Sequence, residues 1–152
     1  MKLIEEKGNL FDLEDTHYLV HCVSADFALG QGIAKEFVKR KQMRVYLEGY
    51  INMSTISPTE YDIIQRVYPC ILINKVFNLV TKQRYWHKPT YESLTRALVS
   101  MRSIVSQGTI KKIAMPRIGC GLDRLNWSKV KSIIEDVFDN VDCEIIVRYL
   151  ED

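Results

Sequence analysis

Leu19-Val-His-Cys-Val23 runs into Ser24-Ala-Asp-Phe-Ala-Leu-Gly-Gln-Gly32, and Lys112-Ile-Ala-Met115 runs into Pro116-Arg-Ile-Gly-Cys-Gly-Leu-Asp123. The two stretches share one arrangement. A short apolar run suited to a buried strand ends in a loop of mostly small residues holding two closely spaced glycines, with a helix expected beyond. The chain has only 7 glycines, and four of them form these pairs, Gly30 with Gly32 and Gly119 with Gly121. Ligands of open α/β sheets bind just past strand ends. A helix N-terminus there offers unpaired N–H groups, and glycine lets a phosphate approach the backbone with no Cβ in the way. The pattern suggests a pyrophosphate held between two loops, although tight turns alone would also use these glycines. Neither loop matches G-x-x-x-x-G-K-[ST] or G-x-G-x-x-G.

Working outward, one helix is expected after Gly32, with Ile33, Phe37, Tyr46 and Leu47 facing in and Lys35, Lys39, Arg40, Lys41 and Arg44 facing out. Tyr50 to Glu60, with Ser54, Thr55, Ser57 and Pro58, has no period and reads as a surface connection. Tyr61 to Thr81 is rich in Ile, Val, Tyr and Phe and reads as strands turning near Asn74. Pro89 stops the last of them, and Thr90 caps a helix from about Tyr91 to Gln107. Its apolar face is Leu94, Ala97, Leu98, Met101, Ile104 and Val105, and Gly108 ends it. After the Lys112 to Met115 strand and its loop, Asn126 caps a helix with the stripe Val130, Ile133, Ile134, Val137 and Phe138. Glu144 to Leu150 closes the chain as a β-branched strand. This order predicts a single α/β domain over residues 1–152, a three-layer α/β/α sandwich around a mixed sheet.

The 152 residues carry 21 Lys+Arg against 19 Asp+Glu, a net charge of +2 that is too small to hold nucleic acid or a membrane by field alone. Cys22, Cys70, Cys120 and Cys143 are far apart and form no C-x-x-C pair, so no metal site is expected. The N-terminus turns acidic before any apolar run, and no apolar stretch is long enough to span a bilayer. A cytoplasmic protein with reduced thiols is the expectation, or a nuclear one in a eukaryote.

Thr81 to Tyr91, TKQRYWHKPTY, gathers Lys82, Arg84, His87 and Lys88 around Tyr85, Trp86 and Tyr91. Nearby cations or burial can free an amine to attack an electrophilic carbon, although a lone lysine is by default a solvated charge. Asp123 follows the second glycine pair and should face the same cleft; a loop cap or a partner for Arg117 or Arg124 is the plain alternative. His17, His21 and His87 form no recognisable triad motif. Cys120, between two glycines at a helix entrance, is read as a small filler against the ligand rather than as a nucleophile.

Four blocks in order, KGNLF (Lys7 to Phe11), HCVSADFALGQGIA (His21 to Ala34), HKPTYESL (His87 to Leu94) and MPRIGCGLDRLNW (Met115 to Trp127), resemble the macrodomains that bind ADP-ribose. The branch they resemble is that of the terminal ADP-ribose protein glycohydrolases. Val20-His21-Cys22-Val23-Ser24 stands where commoner hydrolase macrodomains have V-N-A-A-N. The resemblance implies that Asn9, where the family has an aspartate, and Leu10 meet adenine. It implies that Ser24, Gly30, Gly32 and Ile33 belong to the first phosphate loop, and Arg117, Ile118, Gly119, Cys120, Gly121 and Leu122 to the second. Thr81 and Leu150 join the substrate contacts, Arg148 replaces a tyrosine near the ribose, and Glu151 and Asp152 extend past the usual end. Lys82 and Asp123 fall on the catalytic pair.

The implied activity is metal-independent and cofactor-free removal of mono-ADP-ribose from acidic side chains, deacylation of O-acetyl-ADP-ribose, or both. Hydrolysis of ADP-ribosylated DNA is the alternative enzyme, and a non-catalytic ADP-ribose reader the alternative class. The implied partners are ADP-ribose and ADP-ribosylated protein or metabolite, with no membrane and a monomeric chain.

Overall fold

Strand residues alternate between two apolar cores, and that alternation sets the layers. Val20, Phe77, Leu79, Ile113, Met115, Ile145 and Val147 point to one face, and Leu19, Val23, Val76, Val80, Ala114 and Ile146 to the other. The computed structural model describes residues 1–54, 56–57 and 59–150; Thr55, Pro58, Glu151 and Asp152 lie outside the described residues. The strands are β1 (Lys2–Lys7), β2 (Tyr18–Ser24), β3 (Cys70–Ile73), β4 (Val76–Lys82), β5 (Lys112–Met115) and β6 (Glu144–Tyr149). They lie in the order β1-β6-β5-β2-β4-β3, parallel throughout except for the β3/β4 hairpin. On the first face lie α4 (Tyr91–Val105) and α5 (Trp127–Val137). On the second lie α1 (Ile33–Lys41), α2 (Met43–Asn52) and α3 (Tyr61–Val67), with a 3-10 turn over Leu10–Leu13. This is the expected three-layer α/β/α sandwich.

Several local expectations hold. Thr90 Oγ1 accepts from the Ser93 N–H and Ser93 Oγ from the Thr90 N–H, a reciprocal cap at the start of α4. Asn126 Oδ1 caps α5. Asn74 and Lys75, at φ 49° and 63°, make the two-residue hairpin turn between β3 and β4.

Three expectations need correction. Tyr61–Val67 is helix, not strand: Tyr61 and Ile64 are three apart and turn inward together, so burial overrides the β-propensity of the Ile pair. The helix after Gly32 is two helices, because Gln42 adopts left-handed φ 51° and its N–H caps α1 on the Phe37 and Val38 carbonyls. The bend buries Phe37, Met43, Leu47 and Ile51 in one core and leaves Tyr46 exposed, not inward. β1 was not expected at all; it is an edge strand with four charges, half-buried except at its exposed ends, and its pairing with β6 defines it.

His21 is fully buried on β2, its ring 3.9 Å from that of Phe37. The Nδ2 of Asn78 donates to the Ile71 and Val76 carbonyls, so its Oδ1 must accept from His21 Nε2 at 2.6 Å. Nδ1 has no partner. Burial pushes the imidazole down to about 4, partly offset by the Asn78 bond. The folded state therefore binds this proton less well than the unfolded chain, in which His titrates near 6.5. The neutral ring's stabilisation is complete above pH 6.5 and is lost as pH falls through 4, a loss of roughly 3 kcal/mol. NMR titration of the His21 ring should show the neutral form persisting at pH 5, and a midpoint near 6.5 would contradict this account.

Candidate active site

The C-terminal ends of β5, β2 and β4 lie side by side, and the chain leaves each of them to wall a cavity of about 860 Å3. Ser24, Gly30, Gly32, Ile33, Lys82, Arg117, Ile118, Gly119, Gly121, Leu122 and Asp123 all line it. The first loop, 24–32, turns through two bulky residues in left-handed conformation, Phe27 at φ 52° and Leu29 at φ 45°. Their burial in the core offsets that strain.

Two side chains hold this loop. Asp26 Oδ1 accepts from Ser24 Oγ at 2.5 Å and the Ala28 N–H at 3.1 Å, while Oδ2 accepts from the Tyr85 N–H at 3.0 Å. The Arg44 guanidinium donates to the Phe27 and Ala28 carbonyls. Arg44 is thus committed to the loop, not to an outward charged face. Gly32, at φ 60°, begins α1 with no side-chain cap, so the first N–H groups of that helix are left for the cavity.

The second loop closes on itself through the Leu125 N–H to the Gly119 carbonyl at 2.8 Å and the Arg124 N–H to the Gly121 carbonyl at 3.2 Å. The Arg117 guanidinium lies 4.2 Å from the centre of the Tyr149 ring and 4.0 Å from Glu5 Oε1. Glu5 is fixed by Lys131 at 2.9 Å and the Trp127 indole at 2.7 Å. The Lys131 ammonium, against the opposing effect of burial, holds the Glu5 carboxyl below its ordinary value. Burial pushes the Cys120 thiol up to about 11, only partly offset by Arg117, and Sγ faces the Ile118 carbonyl. This is a filler's environment, not a nucleophile's.

At the base of the cavity Lys82 Nζ donates to Asp123 Oδ1 at 2.6 Å, with the side chains 14% and 19% exposed. A bulge between Val23 and Ser24 shifts the register so that Lys82 stands opposite Ser24 at the end of the ladder. The amine and the carboxylate thus meet across the mouth of two parallel strands. Such a pair can pass a proton between its members and present a nucleophile to an electrophilic carbon.

Not every expected contact reaches the cavity. Asn9 Oδ1 caps the 3-10 turn by accepting from the Phe11 N–H, and Leu10 is buried in the core beneath it. Thr81 is buried on β4. Leu150 is 69% exposed just past the end of β6. Arg148 folds back onto Glu6 at 2.9 Å and the Asn9 carbonyl at 3.1 Å. These five and Cys120 are absent from the cavity wall, whereas Tyr85, Trp86, His87 and Lys88 line its mouth.

Two glycine-bearing loops over parallel strand ends, flanking a lysine–aspartate pair, define a nucleotide-type cleft in an α/β/α sandwich. The Macro domain family matches residues 20–134, and the chain belongs to that family. The ADP-ribose glycohydrolase OARD1 of Bos taurus is 40% identical over 144 residues, covering 95% of this chain and 89% of that protein. The Homo sapiens protein of the same name is 38% identical, with the same coverage. Among solved structures, the macrodomain of Thermus aquaticus DarG superposes with a TM-score of 0.79 over 97% of both chains at 20% identity. Thermosipho africanus DarTG in complex with ADP-ribose gives 0.75 at 18% identity, covering all of this chain and 43% of that one. At these identities the solved structures speak to the fold alone. Among the described residues, no helix is long and apolar enough to cross a membrane.

Proposed function

We propose that the protein is an ADP-ribose glycohydrolase that removes mono-ADP-ribose from acidic side chains, deacylates O-acetyl-ADP-ribose, or does both. The observation that carries this reading is the Lys82–Asp123 pair, 2.6 Å apart at the base of the cavity. The names of the OARD1 relatives, 40% and 38% identical over nearly the whole chain, support it. The diphosphate would lie between residues 24–32 and 117–122, held by backbone N–H groups, and the distal ribose would point toward Lys82. Asn9, Leu10 and Leu150 are assigned the adenine end on resemblance alone.

In the first step Asp123 takes a proton from Lys82, and Nζ bonds to the anomeric carbon of the ribose. The bond from that carbon to the ester oxygen breaks, and its electron pair leaves with the carboxylate. The ring then opens to a protonated Schiff base: one of the two protons left on the nitrogen passes to the ring oxygen and the other stays on the nitrogen. Water adds to the same carbon with loss of one proton to solvent, Asp123 gives its proton to the nitrogen, and the new hydroxyl gives up another to it as the C–N bond breaks, releasing the ammonium and ADP-ribose as the aldehyde that recloses to the ribose.

Free ADP-ribose should raise the melting temperature, by about 2.7 kcal/mol of added stability at a hundredfold excess over Kd. No shift at millimolar ligand would remove the basis of this assignment. The decisive assay incubates the protein with ADP-ribosylated protein, ADP-ribosylated DNA and O-acetyl-ADP-ribose and measures free ADP-ribose or acetate. Binding without release from any substrate would make the protein a reader. Activity should be unchanged in EDTA; loss restored by one particular metal would refute the metal-free chemistry.

A further inference from the structure

Asp26 divides its two carboxylate oxygens between two segments of chain. Oδ1 accepts from the Ser24 hydroxyl and the Ala28 N–H, both within the first loop. Oδ2 accepts from the Tyr85 N–H at 3.0 Å, a partner 59 residues away that lies just past Lys82, the last residue of β4. The backbone makes the same crossing. The Lys82 carbonyl accepts from the Ala25 N–H at 2.9 Å, and the Gln83 carbonyl from the Asp26 N–H at 3.1 Å. The pairing of β2 with β4 thus continues past both strand ends, and the Asp26 side chain is its last rung.

An aspartate at this place needs a reason. A side-chain turn over residues 26–28 takes one oxygen, and asparagine makes that turn equally well. A negative charge is also unfavourable in a loop that is to carry a diphosphate, since like charges repel. Its three partners are a hydroxyl and two amide N–H groups, all uncharged. Only a carboxylate can accept on both oxygens at once. The second segment, the chain leaving Lys82, is therefore what the charge serves.

We propose that Asp26 is a positioning residue for the covalent step, fixing the backbone of Lys82 against the loop that carries the diphosphate. The proposal rests on the lysine-nucleophile reading above and adds what aligns nucleophile with sugar. The diphosphate loop sets where the anomeric carbon lies, whereas the end of β4 sets where Nζ can reach. Asp123 holds the tip of the lysine at 2.6 Å, but the stem behind it is flexible. Asp26 holds the root. It is not among the residues that line the cavity, so it acts through Lys82 and not on the ligand.

Asp26→Asn separates the two halves of the clamp. The amide keeps an acceptor for Ser24 and Ala28 and turns its NH2 toward the Tyr85 N–H, because the opposite flip gives up two bonds to keep one. On an ADP-ribosylated acidic peptide kcat should fall by about 10-fold to 100-fold, the range for a misplaced reacting group. KM and the calorimetric Kd for ADP-ribose should stay within about twofold of wild type. Asp26→Ala frees the first loop as well and should weaken ADP-ribose binding besides. In an Asp123→Ala background, where the sugar–lysine adduct persists, adding Asp26→Asn should slow adduct formation by the same factor, read by mass spectrometry. Unchanged kcat, or a loss carried wholly by KM and Kd, overturns the proposal, since Asp26 would then shape the first loop alone.

Amide hydrogen exchange reads the clamp without any chemistry. Asp26→Asn should speed exchange of the Tyr85 N–H by about tenfold or more and leave that of Ala28 near wild type. Should the wild type release ADP-ribose from no substrate, the hydrolase reading fails by itself and this exchange decides the clamp. A Tyr85 N–H as slow in the variant as in the wild type overturns it.

Discussion

Lys82→Ala should lose turnover on ADP-ribosylated acidic protein by about 10^3-fold or more while binding free ADP-ribose with near wild-type affinity. The amine forms its bond to the sugar after the diphosphate and adenosine are already held, so removing it takes away a step and not the grip. Asp123→Ala should fall by on the order of 10^2 to 10^4-fold, the range for a lost general acid or base. The two variants differ in what they leave behind. With Lys82 present and Asp123 gone, attack can still proceed through water but resolution is slow, so ADP-ribose should be trapped on Lys82 by borohydride and found there by mass spectrometry. Titration calorimetry with ADP-ribose separates chemistry from binding in both. O-acetyl-ADP-ribose is the internal control, since water guided by Asp123 can open that ester without a sugar–lysine bond. Full activity of Lys82→Ala on the protein-linked substrate would end the covalent route and leave Asp123 as a general base at 2.6 Å from a mere counter-ion.

What the sequence revealed depended on how local each cause is. β2, β5, α4 and α5 were legible because short apolar runs, a Thr-to-Ser cap and an Asn cap act within a few residues. β1 was not, because it is half exposed and is a strand only through its ladder to β6, more than a hundred residues away. The helix at Tyr61–Val67 and the break at Gln42 share this property: each is decided by which side chains the second core can take, not by propensity. The same divide runs through the site. The glycine loops are visible as composition, but the pairing of Lys82 with Asp123 spans 41 residues and came only from resemblance. Asp26 went unread and Arg44 was misread as an outward charge because each holds the first loop through backbone groups distant in the chain, the Tyr85 N–H 59 residues from Asp26 and the Ala28 carbonyl 16 residues from Arg44.

The loops impose different demands on their glycines, and that difference isolates ligand contact from fold. Gly119 sits at φ 73°, and a Cβ there would come 2.9 Å from Leu125 Cδ1. Gly119→Ala should therefore cost roughly 1–2 kcal/mol from the left-handed backbone, besides displacing Leu125. Gly121 has no such constraint, since a Cβ built on it meets nothing within 4 Å and its φ is ordinary. The open space beside it is the cavity between the two loops, where the diphosphate is proposed to lie. Gly121→Leu should then melt like the wild type, because its Cβ meets no part of the fold and the backbone needs no left-handed φ, yet weaken ADP-ribose by about 10^2-fold or more, or ~2.7 kcal/mol. The side chain fills the approach that backbone N–H donors need, and hydrogen bonds lost at 3 Å are not regained from farther out. Calorimetry on Gly121→Leu alongside thermal melts of both variants reads the two effects apart. Wild-type affinity in Gly121→Leu would mean that the diphosphate does not pass the second loop, and that Gly119 and Gly121 shape a turn without touching the ligand.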